Sequence, residues 1–101
     1  MCDEMPSLEA LKAAVSQACQ PSSAPKIIMG RAEVFAMLRA WVLAHIEQAA
    51  YETLNLTDEW EYRRLLELFQ QLDNSLVQRL IARGLTSPDA DIREAAEDFR
   101  M

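Results

Sequence analysis

Glycine, cysteine and histidine are all scarce in this sequence of 101 residues, and each scarcity excludes a class of structure or chemistry. The two glycines, Gly30 and Gly84, are too few for the tight turns of a many-stranded β fold, which need positive φ angles. They also exclude a glycine-rich phosphate-binding loop, since neither GxGxxG nor GxxxxGK[ST] occurs. The sequence therefore predicts an all-α fold without a nucleotide-binding motif.

Two cysteines and one histidine provide few ligands for a metal. Cys2 and Cys19 form no CxxC pair and have no histidine at zinc-ligand spacing, so we expect free thiols. His45 has a valine rather than a glutamate three residues before it, which excludes the Glu-x-x-His pairs of di-iron bundles. It also lacks the neighbours of a catalytic triad. We therefore predict no metal, no cofactor and no catalytic residue.

Positive charge and long apolar runs are limited as well. The net charge of −6 makes nucleic acid an unfavourable partner, because binding it requires Lys and Arg to neutralise phosphates. The longest apolar-rich stretch covers residues 34–46 and is too short to span a bilayer. The acidic start contains no recognisable secretory signal. We expect a cytoplasmic protein that binds neither nucleic acid nor a membrane.

What the sequence does contain is helical periodicity, in four segments that we expect to form a single domain. The first predicted helix covers residues 8–20, with Ser7 as a hydroxyl N-cap and Pro21 as its end. Residues 1–6 are expected to be disordered. Residues 21–29 contain two prolines and two serines, which predicts a loop whose apolar last three residues pack onto the bundle.

The second predicted helix covers residues 30–54 and has a wide apolar arc. Its predicted core face consists of Phe35, Leu38, Val42, Ile46 and Ala49. A second apolar face beside it consists of Val34, Met37 and Trp41. The first helix and the apolar end of the loop are all that remain to cover this second face. It is therefore either covered within the monomer or in contact with another protein chain.

The third predicted helix has Thr57 or Asp58 as its cap, ends before Gly84 and shows the strongest periodicity. Ser75 and Gln78 have the spacing of a second capping box, which leaves a break open, but we expect the helix to be continuous. Its apolar stripe consists of Tyr62, Leu65, Phe69, Leu72, Leu76 and Leu80.

The last predicted helix follows Ser87-Pro88-Asp89, in which Ser87 supplies a hydroxyl N-cap, Pro88 takes the first position and Asp89 places an acid in the first turn. Its apolar face consists of Ile92, Ala95, Ala96 and Phe99. Together the four segments predict a compact up-down helical bundle over residues 1–101. The two long helices should form its central antiparallel pair, and the two short helices should pack around them.

Residues 76–99, LVQRLIARGLTSPDADIREAAEDF, resemble part of a HEAT-type helical repeat: the second helix of one unit, the turn, and the first helix of the next. The Ser-Pro-Asp turn, the Ile92-Arg93 pair and the Ala95-Ala96 pair carry the resemblance. It covers about a quarter of the chain and a single copy, fewer than the three that a solenoid needs. The resemblance implies a helical hairpin and favours protein–protein interaction.

We predict from these features a small non-enzymatic protein-interaction or regulatory module, either an adaptor or an acidic inhibitor of the immunity-protein kind. The candidate interface residues are Val34, Met37, Trp41 and Trp60. Trp60 projects away from the third helix's stripe, so it either folds back on the preceding corner or anchors a partner. The partner is another protein chain, which includes a homodimer. The alternative is a small enzyme or ligand-binding protein with a pocket near Trp41, His45 and Tyr62.

Overall fold

A computed structural model describes residues 7–20 and 24–100, and within them every regular element is an α-helix. The prediction of an all-α fold is confirmed, whereas the prediction of four helices is wrong. The six helices are α1 (Leu8–Ala18), α2 (Ala24–Ala36), α3 (Arg39–Thr53), α4 (Glu59–Leu72), α5 (Asn74–Leu85) and α6 (Ala90–Phe99). The predicted disorder of residues 1–6 lies outside the described residues.

Helix α2 occupies most of the segment that we predicted to be a loop, so that prediction is wrong for residues 24–29. Pro25 does not prevent the helix, because it lies in the first turn, where backbone N–H groups have no partner within the helix. The preceding helix is close to its prediction. Ser7 caps it by accepting a hydrogen bond from the Ala10 N–H at 3.1 Å.

The predicted second helix is interrupted at Met37 and Leu38, so its continuity over residues 30–54 is wrong. Leu38 takes ψ 121°, which ends the helical path, and the Arg39 guanidinium then donates to the Leu72 carbonyl at the end of α4. The predicted core face is correct in α3 but wrong before it. Phe35 is 47% exposed and Leu38 67% exposed. The face's members in α3 are buried: Val42, Ile46 and Ala49.

The predicted third helix is also interrupted, at Asp73, so our expectation of continuity is wrong here too. Asp73 has extended backbone angles, φ −165° and ψ 134°. Its N–H donates to the Phe69 carbonyl at 2.9 Å, while its carboxylate accepts from the Ser75 N–H at 3.2 Å. One residue therefore ends α4 and caps α5, which makes a sharp corner without a loop.

Two groups of helices share one core. Helix α1 packs mainly against α2 and α3, whereas α4, α5 and α6 pack against one another, so the predicted central pair of long helices is not the main contact. Helix α1 also contacts α4, and ion pairs join the two groups at Arg31–Glu67 (2.6 Å) and Arg79–Glu47 (2.8 Å). The described chain is compact, as predicted, with a Cα radius of gyration of 13.3 Å, and it is longest in one direction, with extents of 47 × 27 × 22 Å.

The core around α4 is dense and mostly apolar. The predicted stripe of the third helix is buried from Tyr62 to Leu80, and Phe69 has no exposed surface. The buried Tyr62 hydroxyl donates to the Leu80 carbonyl at 2.7 Å, which satisfies its only polar group. Gly84 lies against the Tyr62 ring: a Cβ at position 84 would overlap the hydroxyl and would come within 2.9 Å of the Ala96 Cβ.

Helix α6 matches its predicted face, although its N-cap is Asp89 rather than Ser87. The Asp89 carboxylate accepts from the Asp91 N–H at 2.8 Å, while the Ser87 hydroxyl accepts from the Asp89 N–H. Arg63 of α4 pairs with Asp98 at 3.1 Å, which ties the helix to the core. Its buried residues are Ile92, Ala95 and Ala96, and Phe99 is partly buried against them.

Candidate functional site

Helix α2 contacts its own protein with small residues. Gly30 faces α1 so closely that a Cβ there would lie 2.7 Å from the Ala14 carbonyl oxygen and against the backbone of Ala18. Val34, on the same side of α2, is 1% exposed. Because α1 and α2 approach at glycine and alanine positions, α2 is held by backbone proximity rather than by large side chains.

The opposite face of α2 is apolar and exposed. At 100° per residue its members span an arc of about 140° that contains no charged or polar side chain. Ile28 is 66% exposed, Met29 59% and Phe35 47%. We call this surface the outward α2 face. Its residues are Ala24, Pro25, Ile28, Met29, Ala32, Phe35 and Ala36, and all of them are exposed.

A groove lies beside the outward α2 face, where α2 gives way to α3. It encloses about 260 Å³, a volume near the lower limit for a small-molecule site. Phe35 forms part of its wall, and Leu38, which is 67% exposed, lies at the same break. The groove thus extends the apolar surface. Its lining residues are Val34, Phe35, Met37, Arg39, Val42 and Leu72.

The charges near this surface differ from those of the whole chain. Residues 24–39 carry Lys26, Arg31 and Arg39 against the single acid Glu33, a local charge of +2 in a chain of net charge −6. Arg31 pairs with Glu67 at 2.6 Å, a carboxylate that it shares with Arg64, and Arg39 donates to a carbonyl. Lys26 and Glu33 are exposed, and neither forms an ion pair within the described ranges.

The four predicted interface residues do not form one exposed patch. Val34 is buried, and Met37 and Trp41 are partly buried against the core. Trp60 is 53% exposed at the start of α4, and its role as an anchor for a partner stays a prediction. Val34 and Met37 therefore line the groove, while Ile28 and Met29 are exposed on the other side of α2.

The His45 side chain interacts with Trp41, one turn earlier in the same helix. Its ring stacks on Trp41 with 4.5 Å between the ring centres, and Nδ1 bonds to the Trp41 carbonyl oxygen at 2.8 Å. In the described part of the chain no carboxylate bonds to the imidazole, and no group of three His, Cys, Asp or Glu side chains could hold a metal. The arrangement orients the ring but supplies neither a nucleophile nor a second ligand.

Tyr62 lines a different cleft, to which neither Trp41 nor His45 contributes. The cleft encloses about 360 Å³ between the end of α3, the corner before α4 and the end of α5. The Arg83 guanidinium lies over the Tyr51 ring there, 4.7 Å from its centre. Burial raises the pKa of Tyr51 and raises that of Tyr62 to about 12, so both phenols stay protonated at neutral pH.

Cys19 is the other buried titratable group. The residue has no exposed surface, and burial raises the pKa of its thiol to about 12. A neutral, inaccessible thiol is a poor nucleophile and a poor metal ligand, because both roles require the thiolate. Cys19 thus belongs to the core at the seam between α1 and α4.

Comparison with known proteins finds no matching family model, no matching curated protein and no matching solved structure. The resemblance of residues 76–99 to a HEAT-type unit stays a prediction. Among the described helices, none combines the length and the apolar character that crossing a membrane requires. The arrangement of the side chains is therefore the basis for a functional proposal.

Sequence reasoning missed the outward α2 face because it assigned residues 21–29 to a loop. The signal was present: Ile28, Ala32 and Phe35 recur at steps of four and three, which is helical spacing. Two prolines in the segment outweighed it. Only one of them, Pro25, lies in the described part of the segment, and the helix accommodates it in its first turn.

Proposed function

We propose that this protein is a non-enzymatic interaction module that binds another protein chain through the outward α2 face. The observation that carries the proposal is the exposure of Ile28, Met29 and Phe35 together on one side of a helix that is already held on the other side. Isolated exposed apolar residues are ordinary, but a contiguous apolar face marks an interaction site in soluble proteins.

The shape of the surface favours a helix or a similarly convex partner. The outward α2 face is a straight ridge about 20 Å long at 1.5 Å per residue, and the groove beside Phe35 can receive a further side chain. Methionine and phenylalanine on such a ridge adapt to an apolar partner. An adaptor and an inhibitor would both use such a surface, and the identity of the partner distinguishes them.

A photo-crosslinking amino acid at position 35 tests this proposal in cells of the native host. We expect adducts of defined mass, identified by mass spectrometry, which decrease when Ile28→Asp is added to disrupt the face. The matched control carries the same crosslinker at Gln70, an exposed position in α4. Adducts at position 35 that are no more abundant or specific than those at position 70 would contradict the proposal.

Binding of a small ligand in the Tyr62 cleft is the second candidate function. Its volume lies within the range of small-molecule sites, and Arg83 offers a cation beside two aromatic rings. An aromatic carboxylate has the complementary chemistry. Titration with benzoate, followed by amide shifts in NMR spectra, should perturb the cleft in wild type and not in Arg83→Gln. Equal shifts in both proteins would remove the role of Arg83.

A further inference from the structure

The outward α2 face is complementary to a second copy of itself, and we infer that this second copy is the chain it binds. The inference rests on the proposed function and names its partner. The arrangement is an antiparallel pair of α2 helices related by a two-fold axis. Along the helix, the axis lies level with the midpoint between Met29 and Gly30. In a two-fold interface, every contact of one residue with a second residue of the other copy is repeated with the copies exchanged. The residues of α2 can form such paired contacts in side-chain size and in charge.

Side-chain sizes match in this register. Each residue lies 1.5 Å further along the helix, so Phe35 sits about 8 Å from the axis, beside Ala24 and Pro25 of the other copy. Ile28 sits about 2 Å from the axis on the other side, beside Ala32 of the other copy. Large residues thus meet small ones at both positions, and the symmetry repeats each contact.

The flank of the helix matches as well. In an antiparallel pair with this symmetry, each flank of α2 faces the same flank of the other copy. On one flank, Met29 lies at the edge of the apolar arc, and Glu33 and Lys26 follow it about 40° and 60° further around the helix at 100° per residue, so their side chains must extend past Met29 to reach the other copy. Met29 then packs on its own counterpart beside the axis. Lys26 lies level with Glu33 of the other copy, because the two positions are equally far from the axis on opposite sides.

The charge distribution favours a second copy at this surface rather than elsewhere on the chain. Two chains of charge −6 repel each other, but residues 24–39 lack the acidic excess of the remainder. On the opposite flank Arg31 would approach its counterpart, and within each copy Glu67, which also pairs with Arg64, offsets only part of that repulsion. At the outward α2 face two copies can therefore meet with two attractive pairs, against a partly offset repulsion between the two Arg31 side chains.

The interface is small, which sets the conditions for measuring it. One helix face from each copy falls at the low end of protein interfaces, below about 1,200 Å² in total, where complexes are weak and transient. We expect a reversible dimer that forms as concentration rises from about 10 μM to about 1 mM.

The experiment uses charge reversal on the flank and sedimentation equilibrium of the full chain. Lys26→Glu and Glu33→Lys each convert both cross-copy pairs into like-charge contacts, so each variant alone should dimerise at least about tenfold more weakly. An equimolar mixture of the two variants restores both attractive pairs in a heterodimer and should associate as well as wild type or better. The double variant Lys26→Glu/Glu33→Lys should regain homodimerisation at the wild-type net charge.

Matched controls separate this register from general electrostatics. Glu94→Lys makes the same charge change as Glu33→Lys at an exposed site on α6, and it should leave the dimer within about twofold of wild type. All the changed side chains are exposed, so circular dichroism should show unaltered folding. Ile28→Asp should abolish the dimer.

Three results would overturn the inference: a wild type that stays monomeric at about 1 mM, a mixture that associates no better than either variant, or a double variant that stays weak. If wild type is monomeric while the crosslinker at position 35 captures a different protein, the self-association fails and the proposed function stands. If it is monomeric and the crosslinker captures nothing specific, both fail.

Discussion

Helices α2 and α4 have nearly the same length, thirteen and fourteen residues, but they direct their large apolar side chains in opposite ways. In α4 every Leu, the Phe and the Tyr are buried, and the other side is mostly charged or amide, with Trp60 as its one large exposed apolar residue. In α2 the buried residues are Gly30 and Val34, while Ile28 and Phe35 face solvent.

The difference shows two ways in which a helix is held in a small domain. Helix α4 is held by area, because its apolar stripe fills the core between α5 and α6. Helix α2 is held by proximity, because small residues let its backbone approach α1. The second arrangement leaves the large side chains of α2 available for a contact outside the monomer.

The largest effect on stability is expected when the aromatic ring at the centre of α4 is removed. Phe69 has no exposed surface, so Phe69→Ala should lower the free energy of unfolding by about 3–5 kcal/mol through lost burial and a residual cavity. Urea denaturation monitored by circular dichroism measures the change. A decrease below about 1 kcal/mol would mean that the α4 core is looser than its burial indicates.

The second test adds one methyl group where α1 and α2 meet. Alanine is the better helix former, yet Gly30→Ala should destabilise the protein by about 1–3 kcal/mol, because the new Cβ meets the backbone of Ala14 and Ala18. The matched control, Ala32→Gly, makes the reverse exchange on the outward face and should cost about 1 kcal/mol from helix propensity alone. Glycine would then be preferred at position 30 and alanine at position 32. A stabilising Gly30→Ala would contradict the close approach.

The third test uses pH to examine the seam between the two groups of helices. Burial raises the pKa of Cys19 to about 12, from 9.0 for an exposed thiol. Because the thiol has a higher pKa in the folded protein than in the unfolded chain, keeping it protonated contributes to the free energy of unfolding. That contribution is complete below pH 9 and is lost as pH rises toward 12. We expect a loss on the order of 1 kcal/mol by about pH 10. In Cys19→Ala the free energy of unfolding, measured by urea denaturation, should decrease less between pH 8.5 and pH 10 than in wild type. An equal decrease in both proteins would show that groups other than Cys19 cause it.

The smallest expected effect concerns Phe35, on the outward α2 face. Phe35→Ala should change the stability of the monomer by less than about 0.5 kcal/mol when measured in dilute solution, because the ring is 47% exposed and its helix is held by other contacts. Phe69→Ala in α4 should lower the free energy of unfolding several times more. A loss above about 2 kcal/mol would show that Phe35 belongs to the core after all.

The C-terminal half was largely predictable from the sequence because its residues act locally. The stripe from Tyr62 to Leu80 and the face of α6 have one-sided periodicity, and one-sided periodicity is sufficient to locate a core. The corner at Asp73 was visible as an open alternative. The residue that makes it is an aspartate two positions before the serine that we considered, because an Asp carboxylate can cap the following turn by itself.

The N-terminal half was less predictable because tertiary contacts decide its boundaries. The apolar spacing of Phe35, Leu38 and Val42 continues through the break between α2 and α3, and neither proline nor glycine marks the break. What stabilises the break is remote in sequence, since Arg39 bonds to the carbonyl of Leu72. The interface was predicted on the wrong side of the helix for the same reason. The sequence places Val34 on an outer face, whereas the structure buries it.

The packing of Gly84 against Tyr62 limits the order in which these two positions can change during evolution. A side chain larger than hydrogen at position 84 overlaps the phenol of Tyr62, whereas a smaller residue at position 62 leaves an empty space that position 84 can fill. A lineage that exchanges volume between them must therefore shrink position 62 first, and the hydroxyl bond to Leu80 is lost at that step. Homologous sequences with a residue larger than glycine at position 84 should therefore lack Tyr62.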